Sequence, residues 1–86
     1  MKMKAEKALA IQYRKDFPAP IICAKGRGEL ARKLIGIAEK NGIQIMRDEK
    51  MTEGLFYLQP GELIPEEYYA AMAEMIAFVY RVRNIK

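Results

Sequence analysis

The sequence predicts an α/β domain, a small mixed sheet of about three or four strands flanked by helices. Three observations predict it. Apolar residues alternate, or run together, in short stretches near the N-terminus, as strands require. Apolar residues then recur at spacings of three and four, as amphipathic helices require. Finally, the two patterns alternate along the middle of the chain, and a strand, a helix and the next strand normally close as a right-handed parallel crossover.

The elements follow in order. Met1 to Lys7 alternates lysine with small residues and is expected to be a basic, solvated lead-in, leaving residues 8–86 as one domain. Ala8-Leu9-Ala10-Ile11-Gln12-Tyr13 reads as a strand, with Leu9, Ile11 and Tyr13 at period two. Arg14-Lys15-Asp16 is a polar turn, and Pro18 and Pro20 bias the residues before them toward extended geometry. Ile21-Ile22-Cys23-Ala24 is a continuous apolar run, expected of a strand buried on both faces and antiparallel to the first.

A helix is predicted from about Glu29, its stripe formed by Leu30, Leu34, Ile37 and Ala38. Asn41-Gly42 ends it, with Gly42 suited to a left-handed cap. Ile43-Gln44-Ile45-Met46 reads as a third strand. Asp48 is placed to cap a second helix carrying Met51, Leu55 and Leu58, which Gln59-Pro60-Gly61 terminates. Pro65 suits the first turn of a last helix. Glu66 and Glu67 near its start, and Arg81 and Arg83 near its end, complement the helix dipole.

Composition bounds the function. The 86 residues suit one small domain. Its apolar content of 51% is too high for a disordered chain, and a formal charge of +4 does not by itself imply nucleic acid. A single cysteine, Cys23, can form no internal disulfide, which fits a reducing cytoplasm. No apolar segment follows the basic N-terminus, so no signal peptide is expected. The most apolar stretch, Tyr68 to Val82, contains Glu74 and Arg81 and falls short of the about 20 residues a bilayer span needs. The chain is expected to be soluble, or peripheral through a partner.

Local motifs offer little chemistry. Lys25-Gly26-Arg27-Gly28 matches neither the Walker nor the dinucleotide spacing and reads as a strand-to-helix turn needing positive φ. Cys23 has no histidine to activate it and no second thiol to share a metal, so a buried, inert thiol is expected. Glu74 interrupts an apolar helix and is expected at the core edge, with Arg32 or Arg81 as its partner. No cofactor or metal is expected. The last helix is apolar almost all round, through Tyr68, Tyr69, Met72, Met75, Ile76, Phe78, Val79 and Tyr80. Either a loop roofs its second side or part of it is an exposed binding surface.

An ordered set of motifs identifies a relationship. After Ala8-Leu9-Ala10-Ile11-Gln12-Tyr13 come Pro20-Ile21-Ile22-Cys23-Ala24-Lys25-Gly26, Gly28 and Ile37-Ala38-Glu39. Then follow Leu55-Phe56-Tyr57, Ile64-Pro65, Tyr69-Ala70-Ala71-Met72-Ala73-Glu74 and Ile76-Ala77-Phe78-Val79-Tyr80. In this order and over residues 8–82 the chain resembles the cytoplasmic C-terminal domain of the FlhB/YscU export-switch proteins of flagellar and type III secretion systems. The resemblance implies that fold and a role as an interaction module at the export gate on the inner membrane. Implied partners are exported subunits or a ruler protein, and export-apparatus membrane proteins: the FlhB-like N-terminal part and an FlhA-like component. It also implies a docking surface at Ala19, Pro20, Ala73 and Ile76, which are small or aliphatic as a shallow peptide groove requires.

One departure bears on activity. The family cleaves itself after the asparagine of an Asn-Pro-Thr-His motif that precedes the first of these strands. Met3-Lys4-Ala5-Glu6 stands at those positions, and the chain contains no histidine. Without the attacking carboxamide, self-cleavage is not expected, and the chain reads as a free-standing counterpart of the cleaved C-terminal fragment, without the family's membrane region. A reading from another class is a small basic nucleic-acid-binding domain, supported by the net charge and the basic residues at both ends. An enzyme of another kind has no constellation to support it.

Overall fold

In the computed structural model, which describes residues 6–84, the first two predicted strands pair antiparallel as β1 (Lys7–Gln12) and β2 (Ile21–Arg27). Lys7 is the first residue of β1, where its ammonium bonds both carboxylate oxygens of Glu53 at 2.9 Å. The register slips once. Ala10 faces Ala24 and Ile11 faces Ile22, so Cys23 is the extra residue of a β-bulge.

That bulge sorts the side chains. Leu9, Ile11 and Ile22 share one face and join the core. Ala8, Ala10, Ala24 and Gly26 share the other, and their small size lets a helix lie close against them. This is α1 (Glu29–Lys40). A Cβ on Gly26 would come within 3.0 Å of Leu30, so only glycine admits the approach. β2 is thus covered on both faces as expected, but the bulge turns Cys23 out into solvent, where its thiol donates to Gln12 Oε1 at 3.5 Å. The expected buried thiol is corrected to an exposed one.

Both ends of the first helix and the start of the second lie where the caps predict. The second ends at Leu55, before the Gln59-Pro60-Gly61 expected to terminate it, and Leu58 reaches the core from the turn that follows. Gly28, with φ 63°, makes the turn into α1. At the other end Gly42 adopts φ 67°, Gly42 N–H donates to Glu39 O at 3.3 Å and Ile43 N–H to Ala38 O at 2.9 Å, the paired bonds of a Schellman motif. The Asp48 carboxylate accepts from Met51 N–H at 3.0 Å and caps α2 (Glu49–Leu55). Pro65 begins a 3₁₀ turn, Glu66–Tyr68, which runs directly into α3 (Tyr69–Asn84).

The third predicted strand is absent among the described residues. Ile43 to Met46 is exposed coil, and the sheet is two-stranded and antiparallel rather than mixed. The reason lies at β2. Ile22 N–H donates to Glu62 O and Gly61 N–H to Ile22 O, at 3.0 and 2.7 Å, and Ile21 bridges Leu63. Residues 61–64 therefore occupy the edge that a crossover strand would have used. The α/β class holds, with a small sheet between helices. The core is one cluster of Ile22, Met51, Leu55, Leu58, Ile64 and Met72, to which β2, α2, the 61–64 segment and α3 all contribute.

Candidate docking groove

The segment after β1 is braced by its own residues. Phe17 N–H donates to Arg14 O at 2.9 Å, and the Arg14 guanidinium lies 5.3 Å from the Phe17 ring centre. Ile64 N–H donates to Pro20 O at 2.8 Å, tying the Ala19-Pro20 step to the core. Ala19 is 3% exposed and Pro20 is also buried, so their surfaces form a floor rather than a protrusion.

α3 supplies the facing wall. Met72 is buried in the core, while Met75 and Ile76 pack against it in part. Between this wall and the Ala19-Pro20 step lies an open groove of roughly 410 Å³. All four residues assigned to docking by resemblance line it. Ala19 and Pro20 come from one side, and Ala73 and Ile76 from the other. Ala73 is exposed and Ile76 half-buried.

Sequence reasoning missed several lining residues. Tyr13 and Pro18 stand beside Ala19 and Pro20, and Tyr69, Met72, Ala77 and Tyr80 extend the helical wall. The helical ones carry a legible signal. Tyr69, Ala73 and Ala77 recur every fourth residue, as do Met72, Ile76 and Tyr80, so they form two adjacent rows on one helix. Tyr13 carries no such signal, because its approach to α3 is a tertiary event. The only side-chain polar atoms among the lining residues are the three tyrosine hydroxyls. The groove is suited to an apolar peptide surface, with a few donors at its rim.

A second cluster lies on the core face of the sheet. The ammoniums of Lys7 and Lys25 and the guanidinium of Arg27 stand 5.3, 5.1 and 5.7 Å from the centre of the Phe56 ring. Lys25 also donates to Phe56 O at 2.8 Å. These bases fasten the start of the sheet to the end of α2. Glu74, expected at the core edge, is exposed, and Arg32 instead faces Glu6 at 3.8 Å. The Met3–Ala5 part of the cleavage-motif positions lies outside the described residues. No helix among the described residues is long and apolar enough to cross a membrane.

Residues 5–79 match the family model described as the FlhB HrpN YscU SpaS family. The chain belongs to this family. Its similarity to FlhB, the flagellar biosynthetic protein, reaches 35% identity over 84% of the chain with that of Aquifex aeolicus (strain VF5). It reaches 38% over 92% of the chain with FlhB of Buchnera aphidicola subsp. Schizaphis graminum. In both cases the chain spans about a fifth (21%) of the FlhB protein. The uncharacterized protein YlqH of Bacillus subtilis (strain 168) is 36% identical, over 88% of this chain and 83% of its own. The fold is that of the C-terminal domains of this family. The PscU C-terminal domain superposes with TM-score 0.78 at 25% identity, covering 91% of this chain and 99% of that one. The EscU C-terminal domain carrying H265A gives TM-score 0.82 at 22% identity, covering 86% and 92%. The chain is therefore an FlhB-like domain of this family.

Proposed function

We propose that this domain is a non-catalytic interaction module that acts as the cleaved C-terminal fragment of the export switch does, receiving exported subunits or a ruler protein at the groove beside α3. The observation that carries this reading is the groove itself. Residues more than fifty positions apart, Ala19-Pro20 and Ala73-Ile76, converge on one apolar surface with a tyrosine rim. Such a surface takes up a short apolar segment through shape and backbone contacts. The module works in the cytoplasm at the export gate, against the FlhB-like N-terminal part and an FlhA-like component. The absence of an Asn-Pro pair and of histidine supports a chain that does not cut itself.

Calorimetric titration with N-terminal peptides of exported subunits, and with the cytoplasmic stub of the cognate FlhB, tests this. Saturable binding is expected. Ala73→Asp, at an exposed position, puts a carboxylate into the apolar groove and should weaken peptide binding about tenfold or more, with the thermal midpoint little changed. Equal affinity in the wild type and Ala73→Asp, or no binding to any of these partners, overturns the reading.

A further inference from the structure

The segment between α1 and α2 has strand-forming residues but no strand beside it. Ile43 and Ile45 stand at period two and are 55% and 39% exposed, and Met46 is 40% exposed. The Schellman motif uses the Ile43 amide. From Gln44 to Arg47 there is no backbone-to-backbone hydrogen bond among the described residues. One turn and a half back, Ile37 on α1 is likewise exposed. The Ile45 carbonyl takes only the Gln44 side-chain amide, at 3.4 Å, and an apolar surface whose backbone groups have no backbone partner is a template for a further strand.

The charges around it indicate what that strand carries. Lys33 and Lys40 flank Ile37 on the same side of α1, and Arg47 follows Met46 directly. None of the three has a carboxylate partner among the described residues. Glu39 falls on the opposite side of the helix by its spacing, and Asp48 is engaged as the α2 cap. A second copy of the chain would bring its own Lys40 and Arg47 to the same place, so self-pairing is opposed by like charge.

We infer that Gln44–Arg47 is a strand-acceptor edge, which pairs in trans with an extended partner segment that is apolar at alternate positions and flanked by acidic residues. Backbone bonds supply the affinity, and Ile45 with the flanking bases supplies register and orientation. This edge is independent of the groove beside α3.

The probe is a synthetic peptide of alternating valine and threonine with a glutamate at each end, titrated into the full chain and followed by amide hydrogen exchange and chemical shift. Slowed exchange at Gln44, Ile45, Met46 and Arg47 is expected. Ile45→Pro removes an amide from the edge and should weaken binding about tenfold. Ile45 is exposed and its amide is not used in the fold, so the variant should retain the wild-type melting transition. Should it melt early, Arg47→Glu decides: it should lose the acidic peptide and gain one with lysine at both ends. Protection confined to β1 or the α3 groove, unchanged affinity in both variants, or protection of residues 44–47 that rises with protein concentration in the absence of peptide overturns the inference.

Discussion

A Cβ added to Gly54 on α2 would overlap the hydroxyl of Tyr68, so the glycine exists to admit that ring beside the helix. Two effects oppose each other in Gly54→Ala. Alanine favours the helix by about 1 kcal/mol, while forcing atoms into filled space costs about 1–3 kcal/mol. The clash wins, and the variant should melt earlier than the wild type. Tyr68→Phe removes the offending oxygen, so adding Gly54→Ala to that background should cost less than it does alone. A double-mutant cycle by thermal denaturation reads the difference, and additive losses would show that the contact is not the cause. Nothing in the sequence announced this pair. The reason for Gly54 is a side chain fourteen residues away in sequence.

Among the elements, local chemistry was the part most fully legible. Gly42 and Asp48 marked helix ends that the structure reproduces, since caps are decided by neighbours in sequence. The face of α1 differs from the expected stripe: Leu30 and Ile37 are exposed and Ala31 is the buried residue, because the packed face is set by the sheet it lies on. Pairing was legible only between β1 and β2, which a short connection joins. The third strand failed because the identity of a strand's neighbour is settled at long range, and residues 61–64 reach β2 first. Cys23 was misplaced for a related reason: a bulge changes the facing of one residue without altering the apolar run it sits in. The joint between β2 and α1 carries its own prediction. Gly28 has φ 63° and ψ −125°, a region open to glycine alone, and nothing lies within 4 Å of where its Cβ would be. Gly28→Ala should therefore cost about 1–3 kcal/mol through the backbone only, measured by urea denaturation with an unchanged slope. A loss below a few tenths would place the turn under no such constraint.

For the whole molecule, one core cluster joins segments from residue 22 to residue 72. Leu55 sits at 0% exposure within it. Leu55→Ala should remove about 2–5 kcal/mol, a large share of the roughly 5–15 kcal/mol that a small domain possesses. Because the core is continuous, circular dichroism and hydrogen exchange should report a single coincident transition. The proposed docking groove depends on the same cluster. Met72 is a core residue and a groove residue at once, and the Pro20 carbonyl is held by the Ile64 amide. That is why the groove's four residues could be named by resemblance but their convergence could not be derived from spacing: it is a product of the folded core.

The rim of the groove gives the molecule an optical gauge. The chain has five tyrosines and no tryptophan, and Tyr13, Tyr69 and Tyr80 stand at the groove. Three of the five tyrosines therefore stand where the proposed guest would settle, with Tyr57 and Tyr68 elsewhere. Occupancy can be followed by light from the unlabelled protein, and a guest at the 44–47 edge would leave that signal unchanged.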